Sequence, residues 1–228
     1  MFSIDWHFLT SKGELESANI EELANDVLHD AAYPELHGGV GAFIRRYLDV
    51  PETVLVLQGP PGTGKTRLIR AILGEISRRN EGKAQALYTG DKKALETDQI
   101  FVEFITGWHN VFVVEDADHL LKPRAEGNED LHPFLTIADG IVRSQDRKII
   151  FFTNLPNVGD LDDALVRPGR CFARLMVREL SRDEAVALLH TLCAGDQSRI
   201  QTAEKALGAA SKRFYSLAEI YRAIEQEA

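Results

Sequence analysis

The sequence predicts an α/β protein in which a parallel five-stranded sheet is flanked by helices and followed by a small helical lid. Two features of the chain carry this prediction. From Thr53 onward, short runs rich in β-branched residues alternate with stretches of helical spacing, and after Arg178 no further strand pattern occurs. The 228 residues, 44% of them hydrophobic, suffice for one core and a small appendage.

Residues 1–50 are polar and mixed, and we expect them to form an N-terminal helical segment packed on the body. An amphipathic stretch contains Leu23, Val27 and Leu28. After a loop at 33–39, a second patch of helical spacing contains the apolar residues Phe43, Ile44, Tyr47 and Leu48.

Residues 51–178 form the α/β body, and residues 179–228 form the lid. The predicted strands of the body are 53–58, 84–89, 111–114, 148–153 and 172–177, and its helices are 65–79, 98–106 and 131–144. In the lid, Ser181 and Ser216 each precede a Glu by three residues. This spacing matches the capping box that begins a helix, and apolar residues follow both at helical spacing.

Charge and composition restrict the classes of function. The net charge of −9 disfavours nucleic acid binding over the whole surface, so protein partners are the expectation. Cys171 and Cys193 have no metal-ligand spacing, and the start of the chain does not have the pattern of a signal peptide. These two observations favour the reducing cytoplasm. The apolar runs are far shorter than the roughly 20 residues that cross a bilayer, so we expect a soluble protein without membrane partners.

A phosphate-binding loop follows the first body strand directly. Its residues are Gly59, Pro60, Pro61, Gly62, Thr63, Gly64, Lys65 and Thr66, which match the P-loop pattern at every specified position. Glycines leave backbone N–H groups free to surround phosphates, Lys65 neutralises the β- and γ-oxygens of ATP, and the Thr66 hydroxyl can bind Mg²⁺. We include Arg67 in the predicted nucleotide-binding set. The alternative is a glycine-rich turn without a ligand.

Two acids end the third predicted strand. Four apolar residues lead into Glu115 and Asp116, and strand ends are where open α/β sheets bind ligands. By position, Glu115 would face the Mg²⁺ ion and Asp116 would polarise the attacking water. The reverse assignment stays open, as does the simpler interpretation that the acids begin a surface loop with Asp118.

With these motifs the chain resembles the AAA+ ATPases from about residue 30 to its end. Residues 149–154, ending in Asn154, are similar to the family's sensor-1 strand, and residues 161–170 are similar to its second region of homology. The Glu-Asp order and the segments 89–114 and 135–140 look most like the AAA translocases that assemble the mitochondrial Rieske iron–sulfur protein.

The resemblance implies a sheet order of 5-1-4-3-2 and a homo-oligomeric ring, commonly hexameric, with ATP held between neighbouring subunits. Asn154 would lie near the γ-phosphate, while Arg167 and Arg170 would reach the γ-phosphate of the next subunit. The alternatives are a solvated Arg-Pro-Gly-Arg turn and a capping role for Asn154. Residues 90–98 correspond to the family's threading loop but contain no aromatic residue, and the lid lacks an arginine at the start of its last helix.

The sequence therefore predicts a Mg²⁺-dependent ATPase that works as a ring and rearranges a protein partner that it does not identify. One alternative is a slow, ATP-controlled scaffold whose ring state recruits or releases a partner. The other is an ATPase that handles nucleic acid, for which the support is Lys92, Lys93, Lys122 and Arg124.

Overall fold

The computed structural model describes residues 3–9, 15–19, 27–96, 98–121, 132–138, 147–154, 161–208 and 212–225, with side chains from residue 27 onward. The strands are β1 (Ser3–Leu9), β2 (Leu15–Asn19), β3 (Val54–Gln58), β4 (Lys83–Thr89), β5 (Val111–Val114), β6 (Lys148–Thr153), β7 (Cys171–Met176), β8 (Leu180–Ser181) and β9 (Phe214–Tyr215). The helices are α1 (Val40–Asp49), α2 (Lys65–Arg79), α3 (Lys92–Leu95), α4 (Gln99–Thr106), α5 (Asp118–Leu121), α6 (His132–Ala138), α7 (Arg182–Leu192), α8 (Gln197–Ala206) and α9 (Leu217–Glu225).

The main sheet has seven strands in the order β2-β1-β4-β5-β6-β3-β7. The five strands of the body, β3 to β7, pair in parallel, with Val56 opposite Phe151 on one side and Arg174 on the other. Numbered from β3, their order across the sheet is 2-3-4-1-5. The predicted fold class and strand order are therefore confirmed.

Alternate residues of β3 face two separate apolar layers. Leu55 and Leu57 pack in one cluster with α1, α2 and the lid helices, whereas Val54 and Val56 pack in a second cluster with α4, α5 and α6. All four side chains have 0% exposure. Because both faces are covered, the central strands are continuous apolar runs rather than alternating ones, which is typical of parallel sheets.

The prediction of an N-terminal helical segment over residues 1–50 did not include the two strands that its first described part forms. Residues 3–9 and 15–19 form the antiparallel pair β1–β2, and β1 pairs in parallel with β4, where Ser3 lies opposite Lys83. The missed signal is the alternation of apolar Ile4, Trp6 and Phe8 with polar neighbours. Pairing with β1 satisfies backbone groups along an edge of β4 that would otherwise be unpaired.

The helical part of that segment is confirmed from residue 40. Helix α1 buries Phe43, Ile44 and Tyr47 as its spacing predicts. Other predictions fall outside the described residues. They concern Leu23, the cations Lys122 and Arg124, Leu131 and the second half of the predicted helix 131–144, residues 139–144.

The lid consists of α7, α8 and α9. The capping box at Ser181 is confirmed, because the backbone N–H of Glu184 donates to Ser181 Oγ and Ser181 N–H donates to Glu184 Oε2. Ser216 and Glu219 make the same reciprocal pair. The expectation of no strand after Arg178 was wrong, because β8 and β9 pair over two residues each. Such short strands are too brief to leave a period-two pattern in the sequence.

Across the described part of the chain, none of the helices combines the length and the apolar character that a bilayer span requires.

Candidate nucleotide-binding site

The loop between β3 and α2 is closely enclosed by neighbouring elements at two of its glycines. A Cβ on Gly59, where φ is +143°, would lie 2.0 Å from the carbonyl oxygen of Val177. At Gly64, where φ is +98°, it would lie 2.6 Å from Leu217 Cδ1 in the lid. Glycine is therefore required both by the backbone conformation and by the approach of neighbouring elements.

The side chain of Lys65 lies at the centre of this loop. Its residue exposure is 5%, and its Nζ donates hydrogen bonds of 2.8 Å to the carbonyl oxygens of Gly59 and Pro60. Thr63 Oγ1 donates to the same Pro60 carbonyl at 2.9 Å. Burial lowers the pKa of Lys65, and the nearby carboxylates of Glu115 and Asp116 oppose that shift. The loop backbone thus holds the ammonium group of Lys65 in a position from which it can also donate a hydrogen bond to a bound anion.

A cleft of about 480 Å³ lies in front of the N-terminus of α2, between the body and the lid. This volume is within the range typical of small-molecule sites. The lid side includes Ala218, whose backbone N–H donates to the Gly62 carbonyl at 3.0 Å. The predicted residues that line it include Lys65, Thr66, Arg67, Glu115 and Asn154.

The paired acids after β5 have different environments. Glu115 lines the cleft, and burial together with the charge of Asp116 raises its pKa, while Lys65 opposes the shift. Asp116 has a φ of +49°, which is left-handed and uncommon for a residue with a side chain. Its Oδ1 accepts a 3.4 Å contact from Asn154 Nδ2. The structure therefore places the predicted sensor side chain beside the second acid.

Two further contacts, which the sequence did not indicate, join the acidic segment to β6. Thr153 Oγ1 donates to Asp118 Oδ1, and the backbone N–H of Ala117 donates to the Phe152 carbonyl at 3.2 Å. The available signal was an acid in the first turn of α5 together with a threonine just before Asn154. These bonds hold the segment after β5, which carries Asp116, at a fixed distance from the end of β6, which leads into Asn154.

Arg167 and Arg170, which precede strand β7, lie away from the cleft. Arg167 is exposed in a turn with Pro168 and Gly169. Arg170 is half-buried, and its Nη1 donates to the Ala164 carbonyl at 2.6 Å. Both lie outside the set of described residues that line the cleft. The structure thus brings the loop, the acids and Asn154 together but leaves both arginines away from them.

Residues from the lid and α2 complete the cleft in ways that the sequence did not predict. The guanidinium carbon of Arg67 lies 4.0 Å from the centroid of the Tyr221 ring, a cation–π contact between body and lid. Arg70, one turn further along α2, also lines the cleft. Tyr221 was missed because its partner is more than 150 residues away in the chain.

Thr66 and Glu115 suit a magnesium ion. Among the described residues, no group of three His, Cys, Asp or Glu side chains could hold a metal. A magnesium ion bound with a nucleotide does not need one, because phosphate oxygens and waters complete its octahedron around one or two protein ligands. Thr66 and Glu115 line the same cleft and supply a hydroxyl and a carboxylate.

The glycine loop that follows a buried strand and opens a helix, the parallel order 2-3-4-1-5 and the helical lid define a P-loop nucleotide-binding protein. A family model for the ATPases associated with various cellular activities, the AAA family, matches residues 55–179, more than half of the chain. The chain belongs to the AAA ATPase family, whose members are ATP-hydrolysing enzymes.

Curated relatives agree with this assignment. A protein of Dictyostelium discoideum named "Putative ribosome biogenesis ATPase nvl" is 29% identical over 75% of this chain and 20% of its own length. The 26S proteasome regulatory subunit 4 homolog of Saccharomyces cerevisiae is 28% identical over 78% of this chain and 42% of its length. The ATP-dependent zinc metalloprotease FtsH 1 of Sorangium cellulosum is 30% identical over 60% and 24%. The chain therefore spans less than half of these relatives.

Proposed function

We propose that this chain hydrolyses ATP with Mg²⁺ at the cleft between body and lid, and that it does so as a ring, hexameric by analogy, that rearranges a protein partner. The observation that carries the proposal is the shared cleft of Lys65, Thr66, Glu115 and Asn154, together with the contact between Asn154 and Asp116. Each group has the chemistry that phosphoryl transfer to water requires.

In this proposal the P-loop binds the phosphates and the acids act on water. Lys65 exchanges its two carbonyl partners for phosphate oxygens, and the backbone N–H groups at the start of α2 add further donors. Asp116 accepts the proton of the attacking water, and the amide of Asn154 orients that carboxylate. Thr66 and Glu115 would hold Mg²⁺, which when bound neutralises charge that develops on the phosphate oxygens.

Arg167 and Arg170 complete the site of a neighbouring subunit in this proposal. The support is that both lie outside the cleft of their own chain, and that Arg167 is exposed in a turn. A guanidinium placed against a transferring phosphoryl group neutralises charge that the first subunit cannot reach. AAA ATPases commonly form oligomeric rings, which would bring such a turn to a neighbouring cleft.

The partner would meet a charged surface at the stretch before α4. Ala94 and Leu95 are buried there, at 2% and 4% exposure, whereas Lys92, Lys93, Glu96 and Asp98 are exposed. This mixed charge favours contact with a folded, charged protein surface over threading of an unfolded chain. The likeness to the Rieske-assembling translocases is part of the proposal, and its support is the Glu115-Asp116 order together with the sequence segments 89–114 and 135–140.

Steady-state ATP turnover measured against protein concentration tests the proposal. We expect Mg²⁺-dependent turnover whose rate per subunit rises with concentration, because the arginines come from a neighbour. Turnover per subunit that is independent of concentration over the range where sizing shows assembly would contradict catalysis between subunits. A Lys65→Ala variant is the blank, and Lys205→Ala, exposed in α8, is the matched control.

The same assay separates the alternatives. Tight ATP binding with negligible turnover, unchanged by assembly, would favour the scaffold. Stimulation by nucleic acid that falls steeply with salt would favour a nucleic-acid-handling ATPase. Affinity capture with Asp116→Asn, which we expect to retain ATP without hydrolysis, is the way to isolate the protein partner.

A further inference from the structure

Tyr33 contacts the P-loop from outside it, although it lies 31 residues earlier in the chain. It follows the short 3₁₀ turn at Asp30–Ala32 and is 1% exposed. Its hydroxyl donates a 2.9 Å hydrogen bond to the carbonyl oxygen of Gly64. The ring packs in the same apolar cluster as Leu217 of the lid.

The Gly64 carbonyl receives a second hydrogen bond, from the backbone N–H of Leu68 at 3.0 Å. This is the first bond of helix α2, so it directs the carbonyl along the helix toward its C-terminal end. Two donors, one from the backbone and one from a phenol, therefore fix the direction of this carbonyl group.

The orientation of the Gly64 carbonyl determines the direction of the next N–H group. A trans peptide is planar, and its C=O and N–H point in opposite directions. With the Gly64 carbonyl held toward the interior of α2, the N–H of Lys65 points away from the helix, toward the cleft. That N–H is one of the unpaired donors at the helix N-terminus that can bind an anion.

The turn that carries Tyr33 is itself held in place. Asp30 Oδ1 accepts a 2.8 Å hydrogen bond from the backbone N–H of Val40 at the start of α1. On the other side, a Cβ on Gly64 would lie 2.7 Å from the Tyr33 hydroxyl, which shows how closely the phenol abuts the loop. The hydroxyl is thus a preorganised donor rather than a mobile surface group.

We propose that Tyr33 is a positioning residue for phosphate binding. By fixing the Gly64–Lys65 peptide, its hydroxyl presents the Lys65 N–H to the phosphate chain of the nucleotide. The inference rests on the proposed function, since it needs a nucleotide in the cleft. It predicts a contribution to affinity that depends on phosphate and that the base and ribose do not share.

The test compares Tyr33→Phe with Tyr47→Phe. Both substitutions remove one buried tyrosine hydroxyl and keep the ring, because Tyr47 is 0% exposed and donates to the Thr53 carbonyl at 2.9 Å. Only Tyr33 touches the P-loop. Dissociation constants are measured for ADP, for a non-hydrolysable ATP analogue and for adenosine, the last by ligand-observed NMR. Thermal unfolding establishes that both variants fold.

We expect Tyr33→Phe to weaken ADP and the ATP analogue by about 3- to 10-fold, the range for one hydrogen bond, and to leave adenosine unchanged. Tyr47→Phe should leave all three unchanged. Equal affinities in Tyr33→Phe and the unsubstituted chain would overturn the inference, as would an equal loss for adenosine and ADP or an equal loss in Tyr47→Phe. Absence of ATP binding by the unsubstituted chain would instead contradict the proposed function.

Because a lost hydroxyl can also loosen the fold, a second measurement uses a variant that keeps the hydroxyl. Tyr33 replaced by 3-fluorotyrosine keeps the ring and makes the hydroxyl a stronger donor. We expect an ADP affinity equal to or higher than that of the tyrosine form, with adenosine unchanged. A several-fold loss of ADP affinity, with unfolding temperature retained, would overturn the inference.

Discussion

The P-loop and the turn that carries Arg167 both belong to the proposed ATPase site, but they differ in how far the rest of the chain encloses them. The P-loop is enclosed by its own chain from three sides, by Val177 after β7, by Leu217 in the lid and by Tyr33. The turn at 166–169 is exposed, with Val166 at 40% and Arg167 on the surface. The groups proposed to bind nucleotide and to activate water are positioned within one chain, whereas the arginines proposed to act on a neighbouring subunit lie away from the cleft of their own chain.

The largest expected effect on ATP turnover comes from removing the two arginines at the exposed turn. Replacing Arg167 and Arg170 together by Ala should lower turnover by about 10³-fold or more, the scale of an arginine-finger loss. ATP affinity of the isolated subunit should stay near that of the unsubstituted chain, because neither residue lines its cleft. The measurement pairs kcat with a direct binding titration, and Arg45→Ala, exposed on α1, is the control.

Mixing variants sharpens this prediction. A subunit without both arginines and a Lys65→Ala subunit should each be inactive alone, and mixed interfaces should recover part of the turnover. Co-assembly shown by sizing without any recovery would mean that the arginines are structural turn residues. The proposed division between groups that act in their own subunit and groups that act on a neighbouring subunit would then be wrong.

The second effect concerns the acids on the enclosed side. Asp116→Asn should lower kcat by about 10²- to 10⁴-fold, because an amide occupies the same space but is a poor proton acceptor. Nucleotide affinity should be retained. Glu115→Gln should instead weaken binding and its dependence on Mg²⁺ together. Reversed phenotypes would make Glu115 the group that polarises water, and Asp163→Asn, exposed before the arginine turn, is the control.

The third effect shows how much of the ATP affinity depends on the buried ammonium group of Lys65. Lys65→Ala should lower ATP affinity by about 100-fold, since charge-assisted hydrogen bonds to phosphate are lost and backbone dipoles remain. Calorimetric titration with ATP gives the value directly. Undiminished affinity would refute the P-loop assignment.

The smallest effect is expected at the junction of body and lid. Hydrogen bonds from Arg178 lower the pKa of Glu184 from its ordinary 4.5 to about 2. Because the folded pKa is the lower one, this stabilisation is present above pH 4.5 and is lost as the pH falls toward 2. Glu184→Gln keeps the capping box but should lower the unfolding temperature at pH 7 by about 1–4 °C, as for a partly exposed pair.

Unfolding temperatures of both forms from pH 7 to pH 3.5 check this prediction. The difference between Glu184→Gln and the unsubstituted chain should narrow below about pH 4.5, in line with the direction of the pKa shift. A difference that stays constant across this range would show that the ion pair contributes nothing that depends on charge.

Features with a local cause could be predicted from the sequence. The P-loop is fixed by spacing within eight residues, helix α2 begins and ends where its pattern predicts, and both capping boxes depend on residues three apart. The parallel order followed from the family resemblance and is observed. These elements are determined by interactions between near neighbours in the chain.

Features with distant causes could not be predicted. Strand β1 pairs with β4 about 80 residues later, and Tyr221 meets Arg67 across the whole body. The left-handed backbone conformation of Asp116 depends on how β5 and β6 place its neighbours. The four residues that precede Asp116 in the sequence do not indicate this conformation. Pairings of this kind are decided by the packed fold and not by local propensity.

The hydrogen bond from Ala218 N–H to the Gly62 carbonyl joins the P-loop backbone to the first turn of helix α9. Helix α9 has nine residues and is about 13 Å long, and it buries Leu217, Ile220 and Ala223 in the core. The same helix supplies four residues of the cleft lining, Leu217, Ala218, Tyr221 and Glu225. A change in the P-loop backbone at Gly62 would therefore be transmitted directly to one wall of the cleft.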